Sequence, residues 1–230
     1  MPDTDLVSFS EMADAVESCI AAAPDVLWLA DGDTGHGNAL AVQKLIHAYA
    51  RRLAAAVLIE DKIWPRPLGR QGAKLVVERE HAILRCRAAV EACRNEGILL
   101  LARTDARVSR GFDEALARLR EFVAAGADIL FLDSPQSEAE MRTSIEACKG
   151  NPTLAVASPA GKHFMPGAAE LERIGIYPQD ILAASGRAMR DALSGLKGGA
   201  KLPMATPAEL ATAICIDEYP SRDSRWPDPS

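Results

Sequence analysis

Three acidic residues stand at the ends of two consecutive apolar runs. Val26–Ala30 leads into Asp31-Gly32-Asp33-Thr34-Gly35-His36-Gly37-Asn38, and Ala54–Ile59 leads into Glu60-Asp61. A short apolar run that stops at a carboxylate and a glycine-rich turn has the form of a buried strand delivering charge to a sheet edge. Two adjacent parallel strands would bring Asp31, Asp33 and Glu60 close together. Close carboxylates repel one another unless a cation neutralises them, and oxygen-only ligands suit a hard ion, Mg²⁺ or Mn²⁺. The competing reading makes these acids caps of the helices that follow, since Asp and Asn are frequent N-caps.

The elements that must position these residues alternate along the chain. The patterning predicts strands near 26–31, 55–60, 98–102, 129–132 and 153–157, and a stunted one at 176–178. It predicts helices over about 8–22, 39–53, 77–94, 112–125, 138–148, 168–174 and 180–196, with Ser10 capping the first. Such alternation means parallel βαβ units. An open doubly wound sheet and a closed barrel both have it. Strand ends decide between them: Asp31/Asp33, Glu60, Arg103 and Asp133 all sit at the ends of different strands. Barrel sites gather side chains from many strand ends around a ring, whereas an open sheet uses one switch point with a phosphate-binding loop. The turn Gly32–Gly37 is not GxGxxG and carries no Walker lysine. The expected fold is therefore α/β, a (β/α)8 TIM-type barrel over residues 1–200, followed by a C-terminal helix and tail over 201–230.

Composition sets the outer bounds. The chain has 230 residues and a net charge of −6, which argues against nucleic acid as a partner. No apolar stretch approaches the ~20 residues of a membrane helix, and the polar, acidic start Met1–Asp5 does not read as a signal peptide. The five cysteines, at 19, 86, 93, 148 and 215, include no CxxC pair. An odd, scattered set suggests a reducing compartment, so the expected location is cytoplasmic.

The order of short motifs resembles one known group. Asp31–Asn38 is similar to the DxDTGYGN segment of the isocitrate lyase / phosphoenolpyruvate mutase superfamily, Ile59-Glu60-Asp61-Lys62 to its IEDQ or IEDK, and Ala102–Ala106 to its ARTDA. Ala125–Asp128 matches its AGAD, and Asp133–Ser137 resembles an ESPxS stretch. The resemblance covers roughly residues 3–200. It implies a (β/α)8 barrel with Mg²⁺ (or Mn²⁺) near the strand ends and a small anionic 2-oxo acid or dicarboxylate substrate. It also implies a homo-oligomer, dimer or tetramer, with C-terminal helix exchange. By position, Asp31, Asp33 and Glu60 would hold the metal, partly through water, with Asp31, Glu60 and Arg103 as the catalytic set. Arg103 would grip a substrate carboxylate or oxyanion, because a guanidinium fork and a divalent cation together can hold the charge of a forming enolate. The other reading of Arg103 is a structural ion pair with Asp105 or another strand-end acid. Asp33, Thr34, His36, Arg66, Arg70, Asp133 and Lys162 are the candidate substrate contacts.

The sequence also departs from the group. Where lyases of the group carry a KKCGH- or KRCGH-type motif, this chain reads Pro65-Arg66-Pro67-Leu68-Gly69-Arg70, with Leu68 at the cysteine position and Arg70 at the histidine position. Leucine donates no proton, so isocitrate or methylisocitrate cleavage is not expected. Val156 stands where many members have Asn, and Asp133 replaces Glu. Members have a further strand and helix before the region matching Pro2-Asp3, so the barrel is expected to lack or rebuild its first βα unit, with trimming, a neighbouring subunit or divergence as explanations. The expected function is Mg²⁺-dependent C–C cleavage or decarboxylation of a small 2-oxo acid of the oxaloacetate type. Two alternatives stand beside it: P–C chemistry of the phosphonopyruvate mutase or hydrolase type, which Asp61-Lys62 favours, and a non-catalytic, repurposed member.

Overall fold

The computed structural model describes residues 6–65, 74–156, 174–176, 180–198 and 205–213. The chain divides into two compact units, Met1–Pro178 and Gln179–Ser230. This boundary falls ahead of the one expected at residue 200.

In the first unit, helix α1 (Phe9–Ala22) precedes strand β1 (Leu29–Asp31), and α2 (Ala39–Ala50) leads to β2 (Ala56–Glu60). Then come α3 (Arg79–Glu96), β3 (Leu99–Thr104), the short α4 (Ala106–Arg110), α5 (Phe112–Ala125), β4 (Ile129–Leu132), α6 (Glu138–Ala147), β5 (Thr153–Val156) and β6 (Ile174–Ile176). The second unit holds α7 (Asp180–Lys197) and α8 (Pro207–Ala213). A reciprocal pair caps α8: the Glu209 N–H donates to Thr206 Oγ1 at 3.2 Å and the Thr206 N–H to Glu209 Oε2 at 2.7 Å.

Local chemistry fixes the element ends. Ser8, not Ser10, caps α1, because Glu11 lies three residues on and returns the bond to the Ser8 N–H, closing a capping box. Helix α2 stops at Ala50 rather than running to residue 53, and Leu53 takes a left-handed φ of 66°. Gly97 and Gly126 end α3 and α5 in the left-handed conformation that glycine adopts without a Cβ penalty. Of the helix expected over 168–174, only Ile174 is described, and it opens β6, so that strand begins two residues before its expected start.

All strand pairs are parallel, and sheet order equals chain order, β1 through β6. A doubly wound sheet reverses order at a switch point. This one does not, so among the described residues it forms a half-barrel of the expected (β/α)8 kind.

Strand period two then assigns the faces. Val57, Ile59, Leu100, Ala102 and Leu130 pack with the helices in the larger core. Leu58, Leu101, Ile129, Phe131 and Leu154 form a second cluster on the opposite face, with Leu29 and Val156 against it. Both faces are buried, as parallel sheets require. The side chains that continue the inner row toward the strand ends are Asp31, Glu60, Arg103 and Asp133. Parity alone therefore aims all four into one mouth.

Candidate active site

The mouth is built around Arg103. Its Nε and Nη2 hold Asp105 in a two-point grip at 2.8 and 2.7 Å. Nε also lies 3.5 Å from Glu60 Oε2, and Nη2 lies 3.2 Å from Asp133 Oδ1. The Phe131 ring lies under the guanidinium, 5.2 Å from centroid to Cζ. Register explains the meeting: Glu60, Arg103 and Phe131 are direct neighbours across β2, β3 and β4. Burial works against the guanidinium charge, but Asp105, then Glu60 and Asp133, override it and raise the Arg103 pKa. Arg103 therefore serves as the hub of an ion-pair network that also points into the site.

Two lysines complete the charge balance. Lys62 Nζ is 2.7 Å from Glu60 Oε1. Lys74 Nζ bonds Asp133 Oδ2 and lies 3.3 Å from Asp105 Oδ1 and 3.4 Å from Ser134 Oγ. Burial pushes the Glu60 carboxyl up to about 7, against the lowering pull of Arg103 and Lys62. Burial also pushes Asp133 up, but there Arg103 and Lys74, with hydrogen bonds from Lys74 and Ser134, prevail and hold the carboxyl below its ordinary range.

Beneath this layer, Asp61 and Arg118 anchor the site to the helices. Asp61 accepts from Thr104 Oγ1 at 2.7 Å, from the Asp105 N–H at 2.9 Å and from Arg118 Nη1 at 3.1 Å. Arg118 also donates to Glu114 Oε1 and to the Val77 carbonyl, both at 2.8 Å. Arg85 Nη1 donates to the Glu60 carbonyl at 2.8 Å.

The turn after β1 carries the other predicted residues. Asp31 is exposed at the strand end, and its Oδ1 accepts the Asp33 N–H at 2.9 Å. The Asp33 carbonyl accepts the Glu60 N–H at 2.8 Å, which ties the turn to β2. Tyr49 O–H donates to the Asp31 carbonyl at 2.9 Å. Asp33 and His36 both take left-handed backbone, φ 47° and 53°, a conformation that concentrates at functional sites. The His36 ring sits between Phe9 and Trp64, edge-on at 6.1 Å to each, with Nε2 3.8 Å from Asp33 Oδ2. Thr34 Oγ1 and His36 Nε2 are buried without a hydrogen-bond partner. Neither Asp31 nor Asp33 caps a helix: Asn38 caps α2, accepting the Ala41 N–H at 3.1 Å. The capping reading is thus set aside.

The fit of a divalent ion follows from this donor set. Among the described residues, no group of three or more His, Cys, Asp or Glu side chains is arranged to hold a metal ion. The physical reason lies at Glu60, where Lys62 and Arg103 already supply the neutralising charge that the sequence left to an ion. Asp31 and Asp33 carry hard oxygens of the kind that Mg²⁺ takes, and Mg²⁺ retains several waters. The carboxylates of Asp31 and Asp33 in this turn are of the type that would take such an ion. The buried, unpaired Thr34 Oγ1 lies in the same turn.

Arg66, Arg70, Leu68 and Lys162 lie outside the described residues. Of the predicted residues that are described, Glu60, Arg103 and Asp133 meet in one network, while Asp31, Asp33, Thr34 and His36 belong to the adjoining turn. Lys62, Lys74, Asp105 and Ser134 were not among the candidate site residues. Asp105 sits two residues from Arg103 and was in view only as its structural partner.

Known proteins share this arrangement of elements. A family model described as phosphoenolpyruvate phosphomutase matches residues 1–198. The chain is 36% identical over 200 residues to a 2,3-dimethylmalate lyase of Eubacterium barkeri, covering 85% of this chain and 68% of that one. It is 39% identical over 148 residues to an oxaloacetate decarboxylase of Paraburkholderia xenovorans, covering 64% of this chain and 49% of that one. A crystal structure of 2,3-dimethylmalate lyase superposes with a TM-score of 0.87 at 31% identity, over 97% of this chain and 77% of that one. Oxaloacetate acetylhydrolase in complex with 3,3-difluorooxalacetate superposes with a TM-score of 0.88 at 28% identity, over 97% and 79%.

Proposed function

We propose, from the premise that this chain belongs to the phosphoenolpyruvate phosphomutase family of the isocitrate lyase/PEP mutase superfamily, that it is a carbon–carbon lyase or decarboxylase acting on a small 2-oxo acid or dicarboxylate. The observation that carries this reading is Arg103, a half-buried guanidinium on the inner face of β3, held in a fixed orientation by Asp105 and Phe131. A guanidinium held in that way recognises a carboxylate or a growing oxyanion without reorganising at the moment of reaction. The relatives' names, 2,3-dimethylmalate lyase and oxaloacetate decarboxylase, agree with a small acid and with C–C cleavage.

Each residue then has a role. Arg103 orients the substrate carboxylate through the donors that Asp105 leaves open. Asp105 sets the direction of the fork, and Asp61 sets Asp105 through its backbone N–H. Asp31 and Asp33, with Glu60 through water, would hold Mg²⁺ or Mn²⁺. Such an ion, when bound, would supply Lewis-acid charge to a substrate oxygen. Thr34 and His36 line the turn beside it. Leu68 offers no proton, so the carbanion left by cleavage takes its proton from water, which favours decarboxylation over isocitrate-type cleavage. A second reading, P–C chemistry on phosphonopyruvate, is favoured by Lys62, whose ammonium lies against Glu60.

Assembly and location belong to the same proposal. Met189, Leu193 and Leu196 recur at helical spacing on α7 and support a homo-oligomer, dimer or tetramer, joined through C-terminal helices. Four described cysteines are free and agree with a reducing, cytoplasmic setting. No described helix is long and apolar enough to cross a membrane.

The test is a panel of 2-oxo acids, phosphonopyruvate among them, with and without Mg²⁺, repeated on Asp33→Ala. Turnover of oxaloacetate or a related acid that needs Mg²⁺ and is lost in the variant is the expected result. No turnover on any substrate, together with a melting temperature that metal does not raise, would assign the chain a non-catalytic role instead.

A further inference from the structure

Tyr49 is fully buried on α2, yet it does more than pack. Its ring lies 6.2 Å from Phe9, and its O–H donates to the Asp31 carbonyl at 2.9 Å. Phenylalanine would fill the same apolar space, so the hydroxyl has that one bond as its separate task.

The carbonyl needs a donor because of where it sits. Among the described residues β1 is an edge of the sheet. In a parallel ladder alternate residues bond to the same neighbour. The Ala56 N–H goes to the Trp28 carbonyl and the Gly32 N–H to the Leu58 carbonyl, so the Asp31 carbonyl faces away from β2. Tyr49 gives it the partner that a neighbouring strand would otherwise supply.

The rest of that helix face holds the same turn. Val42, Leu45 and Tyr49 recur at i, i+3 and i+7 and share one buried side of α2. A Cβ on Gly35 would fall 2.2 Å from Val42 Cγ2, and one on Gly32 would fall 3.1 Å from Leu45 Cδ2. The turn is thus pressed on α2 at Gly35, Gly32 and Asp31, and of these contacts only the last is directional. Asp31 passes that order on: its Oδ1 accepts the Asp33 N–H at 2.9 Å, while Asp33 holds a φ of 47°. Both carboxylates therefore depend on one peptide, and the Tyr49 O–H fixes it.

We infer that Tyr49 is a positioning residue for the cation site: by holding the Asp31 carbonyl it sets the Asp31 carboxylate, and through it the Asp33 turn, in the arrangement that takes a divalent ion. This inference rests on the proposed function, which gives that turn its ion. Tyr49 itself touches neither ion nor substrate. Its role differs from that of Val42 and Leu45, because an apolar contact lets the peptide rotate and a hydrogen bond resists it.

The test is Mn²⁺ titration, read from the free ion by electron paramagnetic resonance, on wild type, Tyr49→Phe and Gly97→Ala. Amide exchange at Asp33 is followed by NMR in the same proteins without metal. Tyr49→Phe keeps the ring and removes only the hydroxyl, while Gly97→Ala alters a helix end outside the turn. The expected result in Tyr49→Phe is a Kd for Mn²⁺ raised about three- to tenfold and an Asp33 amide that exchanges about tenfold faster, with neither change in Gly97→Ala. Mn²⁺ binding that Tyr49→Phe leaves intact, or an equal loss in Gly97→Ala, overturns the positioning role. If Tyr49→Phe does not fold, the wild-type Asp33 amide decides: slow exchange supports a held Asp31 carboxylate, and exchange at the free-peptide rate overturns it. A wild type that binds no Mn²⁺ removes the ion from the proposed function and this inference with it, a result distinct from intact binding in Tyr49→Phe.

Discussion

Asp61 and Arg118 meet at 3.1 Å where neither side chain has more than 1% of its surface exposed. The pair joins the end of β2 to α5, and its second use is at the site, because Asp61 also accepts the backbone N–H of Asp105. Orientation thus passes from Arg118 to Asp61, to Asp105 and to Arg103. Burial pushes the Asp61 carboxyl up, and the hydrogen bonds from Asp105 and Thr104 and the charge of Arg118 pull the other way.

Removing one member of such a pair leaves a buried charge without its counterpart. Arg118→Met is expected to cost about 3–5 kcal/mol of folding stability, read as a lower midpoint in urea unfolding. Asp61→Asn combined with Arg118→Met should cost less than the sum of the two single changes, since the second removes what the first left unpaired. Additive costs would show that the pair is not coupled.

Arg103→Lys tests the hub. Lysine keeps the charge but cannot make the two-point grip on Asp105 while also facing Glu60 and Asp133. The expected outcome is a loss of about a hundredfold in kcat/KM on whichever 2-oxo acid the wild type turns over, with the melting temperature moving by only a few degrees. Unaltered turnover would leave Arg103 as a structural ion-pair partner and nothing more.

How much of this was legible in the sequence depends on range. The strand ends were legible because an apolar run that stops at a charged residue is a local signal: Asp31, Glu60, Arg103 and Asp133 all fall where it placed them. Sheet order also followed from the spread of polar ends over many strands. The short helix α4, five residues directly after Arg103-Thr104-Asp105, left no periodic trace long enough to see. Lys74 was invisible for another reason: it meets Asp133 across 59 residues, and no local pattern marks a lysine that a distant carboxylate will claim. The same blindness led from clustered acids to an ion as their only remedy, when Arg103, Lys62 and Lys74 supply much of the counter-charge from other parts of the chain.

The turn after β1 makes a sharper prediction. Gly35 has φ +84°, and a Cβ there would fall 2.2 Å from Val42 Cγ2 at the start of α2. Gly97 is also left-handed, φ +73°, but a Cβ there meets nothing within 4 Å. Gly97→Ala should therefore cost only the backbone term, about 1 kcal/mol, while Gly35→Ala adds a steric clash and should cost about 2–4 kcal/mol. Because Asp33 and Thr34 share the turn, Gly35→Ala should also weaken the Mg²⁺ binding proposed for it, and Gly97→Ala should not. Equal unfolding midpoints for the two variants would contradict the packing of the turn against Val42.

Glu114 is expected to contribute to the acid sensitivity of the fold. The hydrogen bond from Arg79 is the largest influence on its carboxyl. Burial opposes that bond and Arg118 reinforces it, leaving the pKa at about 2 against an ordinary 4.5. A carboxylate whose folded pKa is depressed binds fewer protons in the folded chain than in the unfolded one. Its stabilisation is complete above the unfolded value and is lost as pH falls from about 4.5 toward 2. With Arg79 partly open to solvent, the contribution is on the order of 2–3 kcal/mol. Urea midpoints measured from pH 6 down to 2 should fall in wild type. Glu114→Gln should start lower at pH 6 and fall less steeply, the two curves converging at the acid end. Parallel curves would mean that another carboxylate carries the acid response and that the Arg79–Glu114–Arg118 contact contributes little.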